Sequence, residues 1–190
     1  QRRLRDGEVG EVELVTIISR DPAPPPVSYI ARSGGLYRDM MIHDFDMARF
    51  LVGEEFVSVS AVAGELVDRE IGEAGDVDTA AVQMQTASGK IAVITNSRRA
   101  TYGYDQRIEV HGSGGLLRAG NVHMTTLERA DGAGFTADVI QNFFIDRYVA
   151  AYANEVNSFI EAMTTGTAPT PSGHDGLQAQ KLAEAATESG

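Results

Sequence analysis

The sequence contains no cysteine and only two lysines, and its acidic residues far outnumber its basic ones. Without cysteine the chain cannot form disulfides, zinc–thiolate sites or a cysteine nucleophile. The 27 acidic residues against 16 basic ones give a net charge of −11. Such a chain is repelled by nucleic-acid phosphates and by anionic lipid headgroups. We therefore expect neither a nucleic acid nor a membrane as partner.

Long apolar runs are also missing, and no stretch approaches the ~18 residues that a membrane-spanning helix needs. The 190 residues, of which 43% are hydrophobic, are nevertheless enough for one globular domain with a sizeable core. The opening residues, QRRLRDGEVG, contain neither an initiator methionine nor a signal peptide, and they look like the end of a helix. We expect residues 1–190 to be a single domain of a larger protein, and we expect that protein to be cytoplasmic.

The middle of the chain is dominated by segments with the alternation and the β-branched residues of strands. They follow a first strand at 11–21 and a helix at 36–52, and they lie at 56–67, 78–87, 91–100, 106–112, 116–120 and 122–130. The short turns ASGK and GSGG join successive strands, which indicates a largely antiparallel sheet. A long amphipathic helix at 139–164 and a last helix at 177–187, which Asp175 can cap, close the chain.

This order of elements predicts an α+β fold, with helices on one face of an open-faced, antiparallel or mixed sheet of about six strands. The other face of the sheet also needs cover, because SVSAVAGEL and AVITNS carry small and apolar residues on both alternating sets. A second copy of the chain is the natural cover. We therefore expect a homo-oligomer, either a dimer or a tetramer, that forms through the sheet face.

The stretch GGLYRDMMIHDFDMARFLVG, residues 34–53, carries the strongest chemical signal. Asp39, His43 and Asp46 are spaced by four and three residues, so a continuous helix would present all three on one side. The opposite side is the expected core face and consists of Met41, Phe45, Ala48 and Val52. The polar side lacks the lysines and glutamates that are typical of a merely solvated helix face.

Three interpretations of this polar side are open: a solvated face, a metal site or an acid–base site. A metal site of this kind needs a second histidine, and the remaining ones have no ligand-like spacing to His43, so we expect no metal. A histidine can accept a proton from an alcohol, one carboxylate can orient its ring, and a second carboxylate can bind substrate hydroxyls. The pattern therefore favours acid–base chemistry on a polyol or sugar.

The same stretch resembles the segment that follows the nucleotide-binding half of the Gfo/Idh/MocA oxidoreductases, most closely the inositol-oxidising members. The resemblance extends through GEVGEVELV (7–15), NSRRATYGYDQRIEVHGSGGLL (96–117), DRYVAAYANEVNSFIEAM (146–163) and GHDGLQAQKLAEAATES (173–189). The family oxidises an alcohol by hydride transfer to a nicotinamide. The resemblance implies that this chain is the C-terminal, substrate-binding and oligomerisation domain of an NAD-dependent enzyme that oxidises an inositol.

The resemblance also implies roles for individual residues. His43 is expected to be the general base on the reacting hydroxyl, Asp39 its orienting partner, and Asp46 a ligand of a neighbouring hydroxyl. Tyr102 and Tyr104 are expected to line the substrate pocket, although packing against the sheet is an alternative for both.

Two parts of the family's active site are absent from this sequence. The string nearest to its G-x-G-x-x-G phosphate loop is GSGGLL (112–117), which lacks the third glycine and precedes a strand, so we interpret it as a hairpin turn. Neither Lys90 nor Lys181 lies in the Glu-Lys-Pro context of the family's lysine. We therefore expect the chain alone to be inactive and to rely on the N-terminal Rossmann domain of its parent protein. A different sugar or polyol dehydrogenase of the family, and a non-catalytic dimerisation or polyol-binding module, remain as alternatives.

Overall fold

The computed structural model of the protein describes residues 2–190. Its strands are β1 (Val12–Arg20), β2 (Phe56–Gly64), β3 (Thr79–Thr86), β4 (Ile91–Ser97), β5 (Asp105–Gly112), β6 (Gly115–Ala119), β7 (Glu128–Asp131) and β8 (Gly134–Ala137). Its helices are α1 (Arg2–Arg5), α2 (Val27–Ser33), α3 (Leu36–Asp39), α4 (Ile42–Val52), α5 (Arg69–Glu73), α6 (Phe144–Thr165) and α7 (Gly173–Ser189).

Six of the strands form one mixed sheet in the order β2-β3-β4-β1-β5-β6. Neighbouring strands are antiparallel except β1 and β4, which run parallel with Ile17 opposite Ile94. A parallel pair needs a crossover connection, and here the chain from α2 to β3 supplies it. The predicted α+β fold with a mixed sheet of about six strands is confirmed. β7 and β8 form a separate two-stranded hairpin.

The helices α3, α4 and α7 pack on one face of this sheet and enclose the hydrophobic core. The predicted inward side of residues 36–52 is confirmed by its buried side chains, Met41, Phe45, Ala48 and Val52. α7 adds small buried side chains, Ala179, Ala183 and Ala186. Burying one side chain of the size of Phe or Met contributes about 1.5–3 kcal/mol, so this layer fixes the direction in which the polar side of α4 points.

The predicted single helix over 36–52 is wrong in one respect, because the structure breaks it into α3 and α4. The Met41 N–H bonds the carbonyl of Leu36, five residues back, and the hydrogen-bond ladder restarts at the Met41 carbonyl. Met41 keeps right-handed helical angles, so the apolar spacing continues across the break and the sequence conceals it. Asp39 therefore ends one short helix, and His43 lies in the first turn of the next.

Three other elements differ from the sequence predictions. Residues 27–33 form α2, a helix that the sequence pattern did not indicate. The strand predicted at 122–130 is wrong, because only β7 is extended there and it pairs with β8 outside the main sheet. The last helix begins at Gly173 and not at residue 177, because Ser172 caps it and Asp175 completes a capping box from within the first turn.

The long amphipathic helix predicted at 139–164 is α6, and its apolar side is largely exposed. Only Ala162 of its 22 residues is buried. The exposed apolar side consists of Ile145, Val149, Tyr152, Val156, Phe159, Ile160 and Met163. Such a stripe indicates a surface that other protein covers. Over residues 2–190, no helix combines the length and the apolar character needed to cross a membrane.

Candidate active site

The candidate site lies at the edge of the sheet where the parallel strands β1 and β4 end. Asp21 follows β1, Arg98 follows β4, and the loop before β5 carries Tyr102 and Tyr104. α3 lies beside this edge, since the Arg98 side chain reaches Asp39. The carboxyl ends of parallel strands are a common place for ligand sites in sheets that helices cover.

Asp39, the last residue of α3, is held from two sides. The Tyr29 hydroxyl donates to its Oδ1 over 2.6 Å, and both terminal nitrogens of Arg98 lie 3.4 Å from its Oδ2. The hydrogen bond to Asp39 raises the pKa of Tyr29, because it stabilises the neutral phenol beside a negative charge. A neutral donor and a charged partner together fix the orientation of this carboxylate.

Arg98 is the buried cation of the site, with only 1% of its surface exposed. Besides Asp39 it faces Asp76, whose Oδ2 lies 3.6 Å from Nη2. Asp21 is the third carboxyl group nearby. Burial raises the pKa of Asp21 to about 6 against the opposing effect of the Arg98 charge, and the Asp39 charge adds to the rise. The site therefore gathers three carboxyl groups around one guanidinium.

His43 lies in the first turn of α4 with its side chain exposed. In the part of the chain that the structure describes, the ring makes no hydrogen bond, and Asp39 bonds Tyr29 and Arg98 instead. The orienting role of Asp39 is not visible in this arrangement and stays a prediction. An exposed imidazole can accept a proton from a bound alcohol.

Asp46, one turn further along α4, lies next to Arg49, whose Nη1 is 3.4 Å from its Oδ1. Arg49 also binds Glu55 and Asp175, so Asp46 is one of three carboxylates on this guanidinium. The Asp46 side chain remains 42% exposed, so a ligand hydroxyl can reach it. Its predicted role in substrate binding stays a prediction.

Tyr102 and Tyr104 have different surroundings. Tyr102 is 51% exposed, and its hydroxyl donates to Asp105 over 2.6 Å and accepts from Arg20 over 2.9 Å. Tyr104 is half-buried, and its ring meets the Tyr148 ring of α6 edge-on with the centroids 6.0 Å apart. Burial raises the pKa of Tyr104. Tyr102 thus presents an exposed ring at the site, whereas Tyr104 connects the site to α6. Contact of either tyrosine with substrate stays a prediction.

Polar side chains also lie between α4 and the sheet, where apolar ones are the rule. Ser19 stands opposite Asn96 on one side and opposite Gln106 on the other, so the three form a row across β4, β1 and β5. Asp44 of α4 lies over this row and is 3% exposed. Burial raises the pKa of Asp44 to about 6, although hydrogen bonding to the row, with Gln106 first, opposes the rise.

The sequence analysis missed four residues of this region: Tyr29, Arg98, Asp21 and Asp44. The first three come together only through the fold, and no spacing in the sequence links them to Asp39. Asp44 had a signal, because it falls within the apolar spacing of α4, where a polar side chain has to be buried.

Residues 2–190 form no phosphate-binding loop of the kind that holds a dinucleotide. The GSGG turn joins β5 to β6, as predicted, and the chain itself fills it, since a Cβ at Gly112 would lie 2.5 Å from the Val9 carbonyl oxygen. Lys90 pairs with Glu54 over 2.7 Å in another turn, and Lys181 lies in α7. Neither the GSGG turn nor either lysine therefore provides a site for the phosphates or the nicotinamide of a cofactor. Over the same residues, no three His, Cys, Asp or Glu side chains gather as a metal-binding group.

The structure is an α+β domain with three carboxyl groups and a buried arginine at one edge of its sheet. Residues 1–118 match the family model of the GFO/IDH/MocA C-terminal domain, and the chain belongs to this family. It is 59% identical over 189 residues to the inositol 2-dehydrogenase of Rhizobium meliloti (strain 1021), a match that covers 100% of this chain and 57% of that protein. It is 50% identical over 186 residues to the myo-inositol 2-dehydrogenase of Thermotoga maritima, with 98% and 56% covered.

Solved structures agree with these relatives. A myo-inositol dehydrogenase from Corynebacterium glutamicum superposes with a TM-score of 0.96 at 44% identity, over 99% of this chain and 56% of that one. A scyllo-inositol dehydrogenase from Lactobacillus casei, with bound NAD(H) and scyllo-inositol, superposes with a TM-score of 0.89 at 28% identity, over 99% and 57%. The chain therefore spans little more than half the length of the proteins it matches.

Proposed function

We propose that this chain is the substrate-binding half of an NAD-dependent inositol 2-dehydrogenase and carries its general base, His43. The observation that carries the proposal is the Asp39–Arg98 pair at the ends of two parallel strands, with an exposed His43 four residues beyond Asp39 in the chain. Identity of 59% to an inositol 2-dehydrogenase along the whole chain supports it. Carboxylates and a guanidinium at one edge suit a polyol, because each of its hydroxyls can both donate and accept a hydrogen bond.

In this proposal the residues of the chain supply proton transfer and positioning. His43 accepts the proton of the reacting hydroxyl at a neutral ring nitrogen while hydride leaves the carbon. The negative charge of Asp39 stabilises the imidazolium that forms. The other hydroxyls of the polyol are bound by the remaining predicted site residues, Asp46, Tyr102 and Tyr104. Bound nicotinamide supplies the hydride acceptor.

We further propose that a Rossmann domain outside this chain holds NAD. The lack of a cradle within residues 2–190 supports this, as does the greater length of the relatives. The exposed apolar side of α6 supports it too, because a stripe of this size is stable only when other protein covers it. An enzyme of this kind works where the nicotinamide pool is, and we place it in the cytoplasm.

The isomer that the enzyme oxidises is proposed to be myo-inositol, with scyllo-inositol as second candidate. Two relatives of at least 50% identity are inositol 2-dehydrogenases, and one of them is named for myo-inositol. The second candidate rests on the similar structure that contains scyllo-inositol. The two isomers differ only in the orientation of the hydroxyl on C2, so the residues around the reacting hydroxyl decide between them.

We also propose that the enzyme is a homo-oligomer that forms through the open face of the sheet. This face carries apolar side chains, among them Val62 of β2 and Ile91 of β4, which are 74% and 40% exposed. Val93 and Ile18 lie on the same side of the sheet. Sedimentation of the enzyme and of a Val62→Lys variant tests the proposal, since the charge should shift the enzyme towards smaller species. A clean monomer at high micromolar concentration contradicts it.

The experiment that tests the proposed function is NAD reduction by the complete enzyme with myo-inositol, scyllo-inositol and glucose. We expect the highest kcat/KM with an inositol. The 190-residue chain alone, in the same assay, should reduce no NAD, because it lacks the phosphate cradle. Turnover by the chain alone, or a preference of the complete enzyme for glucose, contradicts the proposal.

A further inference from the structure

The first turn of α4, which carries His43, has no side-chain cap. Its N-cap residue, Met41, makes no capping hydrogen bond, and the break after α3 interrupts the backbone ladder that would otherwise hold this turn. The last turn of α4 is better anchored, because Arg49 binds Glu55 and Asp175 there. The position of the first turn therefore depends on side-chain contacts with the sheet, such as the packing of the buried Phe45.

Asp44 provides a contact between this turn and the sheet. Its Oδ1 accepts a hydrogen bond from Nε2 of Gln106 over 3.2 Å. Oε1 of Gln106 accepts in turn from the Ser19 hydroxyl over 2.5 Å, so the amide is oriented with its donor end towards α4. The contact thus runs from the helix to two adjacent strands of the sheet, β5 and β1.

Burying Asp44 to make this contact costs free energy of folding. A carboxyl group that is 3% exposed loses its hydration, and burial raises the pKa of Asp44 to about 6. Its Oδ2 makes no hydrogen bond to any of the described residues. An apolar side chain would fill this space at lower cost. The position of Asp44, directly after His43, offers a reason for keeping it.

We propose that Asp44 is a positioning residue for His43, because its hydrogen bond to Gln106 holds the first turn of α4 against the sheet and so sets where the His43 ring meets the substrate. The inference rests on the proposed function, since it assigns the contact to proton transfer by His43. Successive side chains on a helix point about 100° apart, so Asp44 faces the sheet while His43 faces the site. A catalytic group that is misplaced by about 1 Å can lose about 100-fold in rate.

The test uses three variants of the complete enzyme. Asp44→Leu removes the acceptor, Gln106→Met removes the donor at similar length, and Asp44→Asn keeps an oxygen that Gln106 can bond. We expect the first two to lower kcat by about 10- to 100-fold with KM within about twofold, and Asp44→Asn to lose less than about threefold. Combining Asp44→Leu with Gln106→Met should be no worse than either alone, because both break the same bond.

A control separates positioning from general destabilisation. Ile71→Ala truncates a fully buried side chain on α5, so it should lower Tm and leave kcat within about twofold. A second readout is local. Amide hydrogen exchange at Asp44 and Phe45, whose N–H groups bond the Met41 carbonyl, should become about 10-fold faster or more in Asp44→Leu and Gln106→Met, whereas the last turn of α4 should be unchanged.

The outcomes are distinguishable from those of the proposed function. Wild-type kcat in folded Asp44→Leu and Gln106→Met overturns the inference, and so does an equal loss of kcat in Ile71→Ala. If the wild-type enzyme oxidises no inositol, the proposed function fails by itself. Amide exchange at Asp44 and Phe45 then still tests the Asp44–Gln106 contact. Unchanged exchange in Asp44→Leu and Gln106→Met would show that this contact does not hold the first turn of α4.

Discussion

The Tyr29 hydroxyl donates a hydrogen bond to the Asp39 carboxylate over 2.6 Å, and this contact joins α2 to the end of α3. Arg98 holds the second oxygen of the same carboxylate. Asp39 is therefore fixed in orientation by two residues that are distant in sequence. Any effect that it has on His43 is exerted from this fixed position.

Replacing Asp39 should reduce turnover of the complete enzyme more than replacing Tyr29. Asp39→Asn removes the negative charge that stabilises the imidazolium, so we expect kcat to fall by about 100-fold or more. Tyr29→Phe leaves the charge and removes one of its two holders, so a fall of about 3- to 10-fold is expected. Tyr152→Phe on α6 is the matched control and should behave as wild type. Wild-type kcat in folded Asp39→Asn would show that Asp39 takes no part in the reaction.

Arg98 should be important for stability as well as for the site. Arg98→Met leaves Asp39 and Asp76 without their buried partner, so we expect a loss of about 3–5 kcal/mol in the free energy of unfolding. Arg129→Met is the control, because Arg129 pairs with Asp131 on an exposed hairpin, and it should cost less than about 1 kcal/mol. Urea unfolding of both variants checks this prediction, and equal losses would contradict it.

Asp44 should make stability depend on pH. Its pKa is raised to about 6 in the folded state and is about 3.9 when unfolded, so the folded state binds the proton more tightly. Its contribution to stability is therefore present below about pH 4 and is lost as pH rises through about 6. The Asp44→Asn variant has no carboxyl group at this position, so its stability should not fall in this way as pH rises. We expect the Tm of Asp44→Asn minus that of wild type to increase by about 5–10 °C between these two pH values. A difference that does not change with pH contradicts the assignment.

Asp46 should act on substrate binding more than on chemistry. Asp46→Asn leaves Arg49 with Glu55 and Asp175, so the variant should lose less than about 1 kcal/mol of stability. If Asp46 binds a hydroxyl remote from the reacting carbon, KM for inositol should rise while kcat stays close to wild type. Steady-state kinetics of the complete enzyme decide this. A fall in kcat at constant KM would instead place Asp46 at the reacting hydroxyl.

The sequence allowed the layers of this fold to be predicted, because strand alternation and the inward spacing of α4 follow from periodicity alone. It also placed Asp39 and His43 four residues apart, a spacing that brings two side chains together on a helix. It could not reveal the break between them, because Met41 fits a helix interior equally well. Nor could it reveal that Arg98 reaches Asp39, because this pairing depends on the register of β4 beside β1.

The account depends most on His43 as the general base, and the most direct measurement is kcat of His43→Ala in the complete enzyme with myo-inositol. His43 is exposed, so the variant should keep the Tm of wild type within about 1–2 °C. We expect kcat to fall by about 100-fold or more, because the group that accepts the proton of the reacting hydroxyl is removed. Near-wild-type turnover of the folded variant would contradict the account, and the polar side of α4 would then be a binding or solvated face only.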